Sequence, residues 1–456
     1  MEFFDFSDIL TAAQDPLTFS LYILRKAWVL FVLGAIAGFG PLGYLEYIRN
    51  KYDAQRKFTM LAIDIPKNNE QSPKAVEQIF NQLSGISITQ NFYEKWIAGQ
   101  MTESFSLEIV SMGGYIQFLI QMPTKFRDLA EAAIYAQYPD AEIVEVEDYA
   151  QKTKGLKFPN SEYEMWGTEF VLQNKQYFPI KSYMEFEHSL SQEFKDPMSP
   201  LMETMSKIGP DEQIWLQLVL TPAPDNWKDG AVTLIKKIIG EKVSAKKNFL
   251  DKLIDFPINI ISSFGGIGAL FGSGEKKEER AGPKNNWMSL TTGEKSTVEA
   301  IEMKTSKIAF YTKFRAIYIA RKASFSKPRG VSALIGSVKQ FNVVGQNGFK
   351  LSNRYTPSID YWFKQLRNNS RRNKLLKLFR LRARNLHPGY YGYVLNAEEL
   401  ATVWHFPIMT VRAPLLKRID SKKGEPPGSL PTGLGLAFDV EKETTQEKEA
   451  EEISNK

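Results

Sequence analysis

Cysteine is absent from all 456 residues and histidine occurs only three times. The first absence excludes disulfides, thiolate metal sites and a cysteine nucleophile. The second leaves little for a histidine-based metal centre, because His188, His387 and His405 lie far apart in sequence. No G-x-x-x-x-G-K-[ST] phosphate loop exists. The nearest approach, Gly293-Glu294-Lys295-Ser296, has its Gly-Lys pair broken by Glu294. A G-x-S-x-G nucleophile elbow is also missing; the GSG of residues 272–274 sits in polar loop sequence. No catalytic residue, cofactor site or metal site is therefore expected, although carboxylates remote in sequence can converge in space.

Two further absences are local. No charged residue occurs from Ala27 to Leu45, AWVLFVLGAIAGFGPLGYL. At 1.5 Å per residue this is enough helix to cross a hydrocarbon core of roughly 30 Å. A secretory signal is the competing reading, but the first 24 residues hold no Lys or Arg and four acids, Glu2, Asp5, Asp8 and Asp15. A buried helix of a globular domain is the third reading. The span predicts a cell-membrane protein with one pass. Arg49, Lys51, Arg56 and Lys57 outnumber Arg25 and Lys26, which favours a cytoplasmic C-terminal body. The second local absence is of Asp and Glu throughout residues 361–397.

What is present reads as α+β: an N-terminal segment (1–26), the span (27–45) and then two similar units. In the first, 58–150, Phe58 to Ile65 is a strand. Ser72-Pro73 opens a helix with Ala75, Val76, Ile79, Phe80 and Leu83 on one face, and Gly85 stops it. Phe105, Leu107 and Ile109 alternate with polar residues, Gly113-Gly114 turns the chain, and Ile116 to Met122 alternate in return. Thr124 caps a second helix, and Glu142 to Glu147 is a last strand. The order β-α-β-β-α-β predicts a ferredoxin-like unit. Residues around Phe92 and Trp96 are expected to carry a short extra element.

The same order is expected over 166–355: a strand at Glu169–Leu172, a helix from Ser199-Pro200, a strand at Ile214–Leu220, a long strand at Ile308–Arg321, a helix near Val331–Val338 and a strand at Phe349–Leu351. An insertion, about 222–305, separates its central strands. Within it a basic amphipathic stretch from Val232 adjoins a Gly-rich apolar stretch, which either lies on an anionic membrane or packs on the domain beside a loop.

A basic helix is expected over 360–386, carrying Lys364, Arg367, Arg371, Arg372, Lys374, Lys377, Arg380, Arg382 and Arg384. Such charge can hold phosphate of nucleic acid or lipid, dock an acidic partner, or simply be solvated. The lack of aromatics among the arginines argues against stacking on single strands. His405, between Trp404 and Phe406, reads as packed or capping.

Several patches resemble a known family. NAEELATVWHFP (Asn396–Pro407) and PPGSLP (Pro426–Pro431) resemble the segment leading into the motor of type IV secretion and conjugative DNA-transfer ATPases. FRAIYIARK (Phe314–Lys322), SVKQFN (Ser337–Asn342) and KFRDLAEAAIYAQYPDAEIVEVEDY (Lys125–Tyr149) resemble the membrane-associated region before that motor. Here residues 387–431 would be a hinge, and a charged, disordered tail (432–456) follows instead of a motor. The resemblance implies a non-catalytic, membrane-anchored accessory subunit that positions a separately encoded P-loop ATPase, docking it through Glu398, Glu399, Trp404 and His405. A homo-oligomer is compatible with this. The alternative is an autonomous membrane-tethered nucleic-acid-binding protein that uses the basic helix.

Overall fold

Phe58–Pro66 is apolar at most positions and forms β1, a strand buried along nearly its whole length. The computed structural model describes residues 16–66, 69–87, 90–186, 195–241, 290–383, 392–408 and 418–419. Side chains 16–31, 33, 35, 37, 418 and 419 lie outside this description, as does the expected tail. The fold is mixed α+β around one large antiparallel sheet.

In the first half, β1 is followed by a helix at Pro73–Leu83. Its buried side chains are those the spacing predicted. Pro73 takes the first turn, where its missing N–H costs nothing, while the Ser72 hydroxyl makes no capping bond. Strands β2 (Phe105–Met112) and β3 (Tyr115–Pro123) form the expected hairpin. A helix at Arg127–Tyr135 and the short β4 (Glu142–Glu145) follow. The strand order is β4-β1-β3-β2, and each pair is antiparallel.

In the second half β5 runs from Tyr163 to Leu172, six residues longer at its start than the apolar signal suggested. A helix (Ser199–Ser206), β6 (Glu212–Pro222), β7 (Ala309–Arg321), a helix (Ala333–Lys339) and β8 (Phe349–Leu351) complete it. The order is β6-β7-β5-β8, again antiparallel throughout. Between β6 and β7 the chain forms two helices that pack together, Lys228–Ile239 and Thr292–Thr305. The Gly-rich apolar stretch between them lies outside the described residues. Glu294, which spoils the phosphate-loop pattern, is the third residue of a capping box with Thr291.

The halves share a sheet. β2 pairs β6 from Phe105 opposite Leu220 to Met112 opposite Gln213, so eight strands run continuously from β4 to β8. Two strands lie off this row: β9 (Tyr393–Asn396) pairs the start of β7, and β10 (Arg418–Ile419) pairs the end of β1 in parallel.

One sheet face carries the larger core, which the helices 73–83, 127–135, 199–206 and 333–339 cover. The opposite face carries a smaller core of Met60, Val110, Met165, Trp215, Ile317 and Ile319, covered by the basic helix. That helix spans Lys364–Arg380.

The N-terminal helix, Pro16–Gln55, is 40 residues long and includes Pro41. Among the described residues no helix is long and apolar enough to cross a membrane. The predicted span Ala27–Leu45 falls partly on side chains outside the description. Of those described, Val32, Ile36, Phe39 and Leu42 are exposed.

Candidate functional site

Alternation puts every second residue of the central strands on the smaller-core face, and at one level those residues are polar. Glu108 of β2 lies opposite Gln217 of β6, Gln217 opposite Arg315 of β7, and Arg315 opposite Glu169 of β5. Their side chains bond in sequence. Gln217 Nε2 donates to Glu108 Oε1 (3.0 Å), Arg315 Nη1 to Gln217 Oε1 (3.1 Å) and Arg315 Nε to Glu169 Oε2 (3.1 Å). Lys313 Nζ joins at Glu169 Oε1, 3.2 Å away. Burial pushes the Lys313 ammonium below its usual range despite Glu169.

The row supports the end of the basic helix. Gln217 Nε2 donates to the Phe379 carbonyl (3.1 Å), and Arg315 donates to the carbonyls of Leu378 and Ala383. Leu378 and Phe379 belong to the last turn of the helix and also accept the amides of Ala383 and Arg382, so the row adds side-chain donors to a turn that the backbone already closes. Arg382 then reaches back. It donates to both oxygens of Glu108 (2.8 and 3.2 Å) and both of Asp148 (2.7 and 2.8 Å). Tyr149 and Ser106 hydroxyls also donate to Glu108, each at 2.8 Å. Burial opposes ionisation of Asp148, but the Arg382 guanidinium outweighs it and holds the carboxyl below the usual range. The row is an internal scaffold: each of its charges has a fixed partner.

This changes the meaning of the basic residues. Arg371 donates to the Thr356 carbonyl (2.6 Å), Arg372 pairs with Glu164 (2.5 Å), and Arg380 donates to the Thr153 carbonyl (3.0 Å). Lys374 lies over the Tyr355 ring (5.7 Å). Arg382 is buried. Lys364, Arg367 and Lys377 face solvent, with Arg367 over the Tyr361 ring (5.0 Å). Arg384 lies outside the described residues. Of the residues read as phosphate or partner contacts, Arg371, Arg372, Lys374, Arg380 and Arg382 are thus engaged within the molecule, and Lys364, Arg367 and Lys377 remain exposed. The stretch that precedes it, Tyr361, Trp362 and Phe363, is exposed, and so is Leu366. These aromatics lie just ahead of the arginine cluster in sequence and beside its first cations in the structure.

The predicted docking residues are also corrected. Glu398, Glu399, Trp404 and His405 are all buried, in and just after a helix at Ala397–Val403. Glu399 closes a capping box with Asn396, accepts from the Ile180 amide (2.9 Å) and pairs with Lys304 (3.0 Å). Desolvation pushes the wholly buried Lys304 ammonium down despite Glu399. Glu398 pairs with Lys307. Trp404 packs on Phe80 and Phe118 of the first half, and Phe406 on Phe118 and Tyr138. His405 lies between the Ala401 carbonyl (2.7 Å) and Asp196 (3.0 Å), which agrees with its reading as a packed residue. Burial disfavours the Asp196 charge, but His405 and the amides of Ile408 and Met198 hold that carboxyl below its usual range. Residues 393–407, expected as part of a hinge, form a clasp from the second half across the first. The remainder of the expected hinge, apart from β10, lies outside the described residues.

The foot of the N-terminal helix is fastened at one buried acid. Glu103 accepts from Tyr52 (3.2 Å) and Arg56 (2.7 Å) of the helix side and pairs with Lys125 (2.7 Å) of the body. Burial works against its ionisation, and the two cations together overcome it, holding the carboxyl below the usual range. Leu45 and Ile48 of the same helix are buried. Gly99 (φ +66°) abuts this turn so closely that a Cβ would lie 2.6 Å from the Ile48 carbonyl.

A cleft of about 550 Å³ lies between the ends of β5 and β9, lined by Leu172, Asn174, Lys175, Gln176, Tyr177 and Tyr393. It holds no acid–base pair. Among the described residues no group of three or more His, Asp or Glu is placed to hold a metal ion. Residues 51–415 match the model of a family described as Domain of unknown function (DUF8128). No curated protein matches the chain.

Proposed function

The chain belongs to the DUF8128 family, whose description carries no activity, and on that premise we propose that it is a membrane-tethered scaffold that binds and positions partners without bond chemistry. One observation carries this reading: a 40-residue helix with exposed apolar side chains is fastened to the body through Glu103. The run Ala27–Leu45 within it would be the span, with the body on the side of Arg49, Lys51, Arg56 and Lys57. The strand orders β4-β1-β3-β2 and β6-β7-β5-β8 support reading the halves as two ferredoxin-like units joined edge to edge. The partner we propose is the separately encoded ATPase of a transfer apparatus, on the strength of the resemblance alone. Because residues 396–407 are internal, that ATPase would meet another surface of the body.

The test is membrane extraction followed by purification. The full chain should stay with membranes through an alkaline carbonate wash, and a chain lacking residues 1–45 should not. Release of the full chain would overturn the tether. Stoichiometric co-purification of a P-loop ATPase from native membranes in mild detergent would support the accessory role, and its absence would remove that part.

A second reading, autonomous nucleic-acid binding, is favoured by the exposed Tyr361, Trp362 and Phe363 beside Lys364 and Arg367. Aromatic faces next to cations suit single strands. It requires affinity that falls steeply with salt and is lost in Trp362→Ala. Unchanged binding in that variant would dismiss it.

A further inference from the structure

Phe92–Trp96 forms a single helical turn on the loop that leads to Glu103, and none of its side chains is buried. Phe92 is 75% exposed, Tyr93 62% and Ile97 52%. This is an unusual concentration of apolar surface for one turn. The turn is rigidly made. Asn91 and Glu94 close a capping box, and the Ala98 and Gln100 amides donate to the carbonyls of Tyr93 and Glu94. The Phe92 and Trp96 rings, one turn apart, stack at 6.3 Å into a plate.

The position of the plate gives it meaning. Gly99, three residues past Trp96, touches the N-terminal helix at Ile48. Ile48 is three residues beyond Leu45, the last of the uncharged run, or about 4.5 Å along the axis. The plate therefore stands about one turn beyond the end of that run, at headgroup depth if the run spans the membrane. Phe, Tyr and Trp favour that depth. The charges around it match an anionic surface. Asp53 and Glu103 are taken up by Arg56 and Lys125, and Glu94 by its cap, so exposed Lys51, Lys57 and Lys95 outnumber exposed Glu46.

We propose that Phe92, Tyr93, Trp96 and Ile97 form a second membrane contact, an aromatic plate seated among anionic lipid headgroups that fixes the tilt of the body. This rests on the tether reading and deepens it. The absence of cysteine makes the test direct. Single variants Tyr93→Cys, Val32→Cys and Tyr115→Cys of the full chain are labelled with an environment-sensitive fluorophore. They are reconstituted in vesicles of phosphatidylcholine and phosphatidylglycerol that carry a nitroxide lipid. Tyr115 sits on the β2–β3 turn, at the far end of the sheet from the helix foot. Probes at 93 and 32 should lose emission to the nitroxide, and the probe at 115 should keep it. Quenching at 32 without quenching at 93 would overturn the plate and leave the tether standing. Loss at neither position would overturn both. Equal loss at all three would also overturn the plate, since the contact would not be local.

Discussion

Arg382 is the residue on which the smaller core depends most. Its guanidinium satisfies Glu108, which is wholly buried, and Asp148, which is half-buried. Arg382→Leu leaves two carboxylates without their cation and should cost about 3–5 kcal/mol, read as a lower urea midpoint at unchanged slope. Acids paired inside the fold also set the response to pH. Glu103, Asp148, Asp196 and Glu212 all ionise below the usual range once folded. Their stabilisation is full above the unfolded carboxylate values of about 4 and disappears as pH falls through the lower folded values. The thermal midpoint should be level from neutrality to roughly pH 5 and drop steeply below about pH 4. Glu103→Gln should lower the midpoint at neutral pH and soften that drop. Tyr318, hydrogen-bonded to Glu212 and pushed up to about 12, stays neutral over this range. The individual members of these clusters were visible in the sequence, but their meeting was not. Glu108 and Gln217 are 109 positions apart, and Arg315 and Glu169 are 146 apart. Only strand register brings them into one row.

At the scale of elements, periodicity was a sound guide wherever apolar residues recur at a regular spacing. The helix at Pro73–Leu83 and the strands β2, β3 and β6 follow their apolar spacing, although β2 and β6 are buried on both faces. It was a poor guide where an element is short or breaks the alternation with polar residues and glycine. The first part of β5 contains Glu164, Gly167 and Thr168, and β9 is only four residues long. Gly167 is there because the basic helix lies directly on it. An added Cβ would stand 2.6 Å from Leu375 Cδ2 and 2.9 Å from the Ala316 carbonyl. Leu375 is wholly buried and cannot swing aside. Gly167→Ala should therefore destabilise by about 1–3 kcal/mol and speed amide exchange in residues 371–380, which hydrogen-exchange mass spectrometry can read. Unaltered exchange there would mean that the helix is not held by this contact.

For the whole molecule, the governing fact is that two topologically similar halves share a sheet through β2 and β6 and are then clasped by residues 393–407. Trp404 is buried against Phe80 and Phe118, with Phe310 beside Phe80. Trp404→Ala should cost about 3–5 kcal/mol in a single cooperative transition, because a loosened clasp exposes the core common to both halves. Two separate transitions in calorimetry would show instead that the halves fold independently. The amino-acid sequence by itself determined the α+β order, the interruption between β6 and β7, and the uncharged run at the N-terminus. These are carried by side-chain period and composition, which are local properties. It also showed a stretch without acids at 361–397 and a segment resembling a hinge. Tertiary structure alone decided that most of those arginines bond inward and that the segment is a clasp. Whether a charge faces water or a partner depends on which strands lie opposite and how helices seat on them, and that information resides in the packing of distant residues.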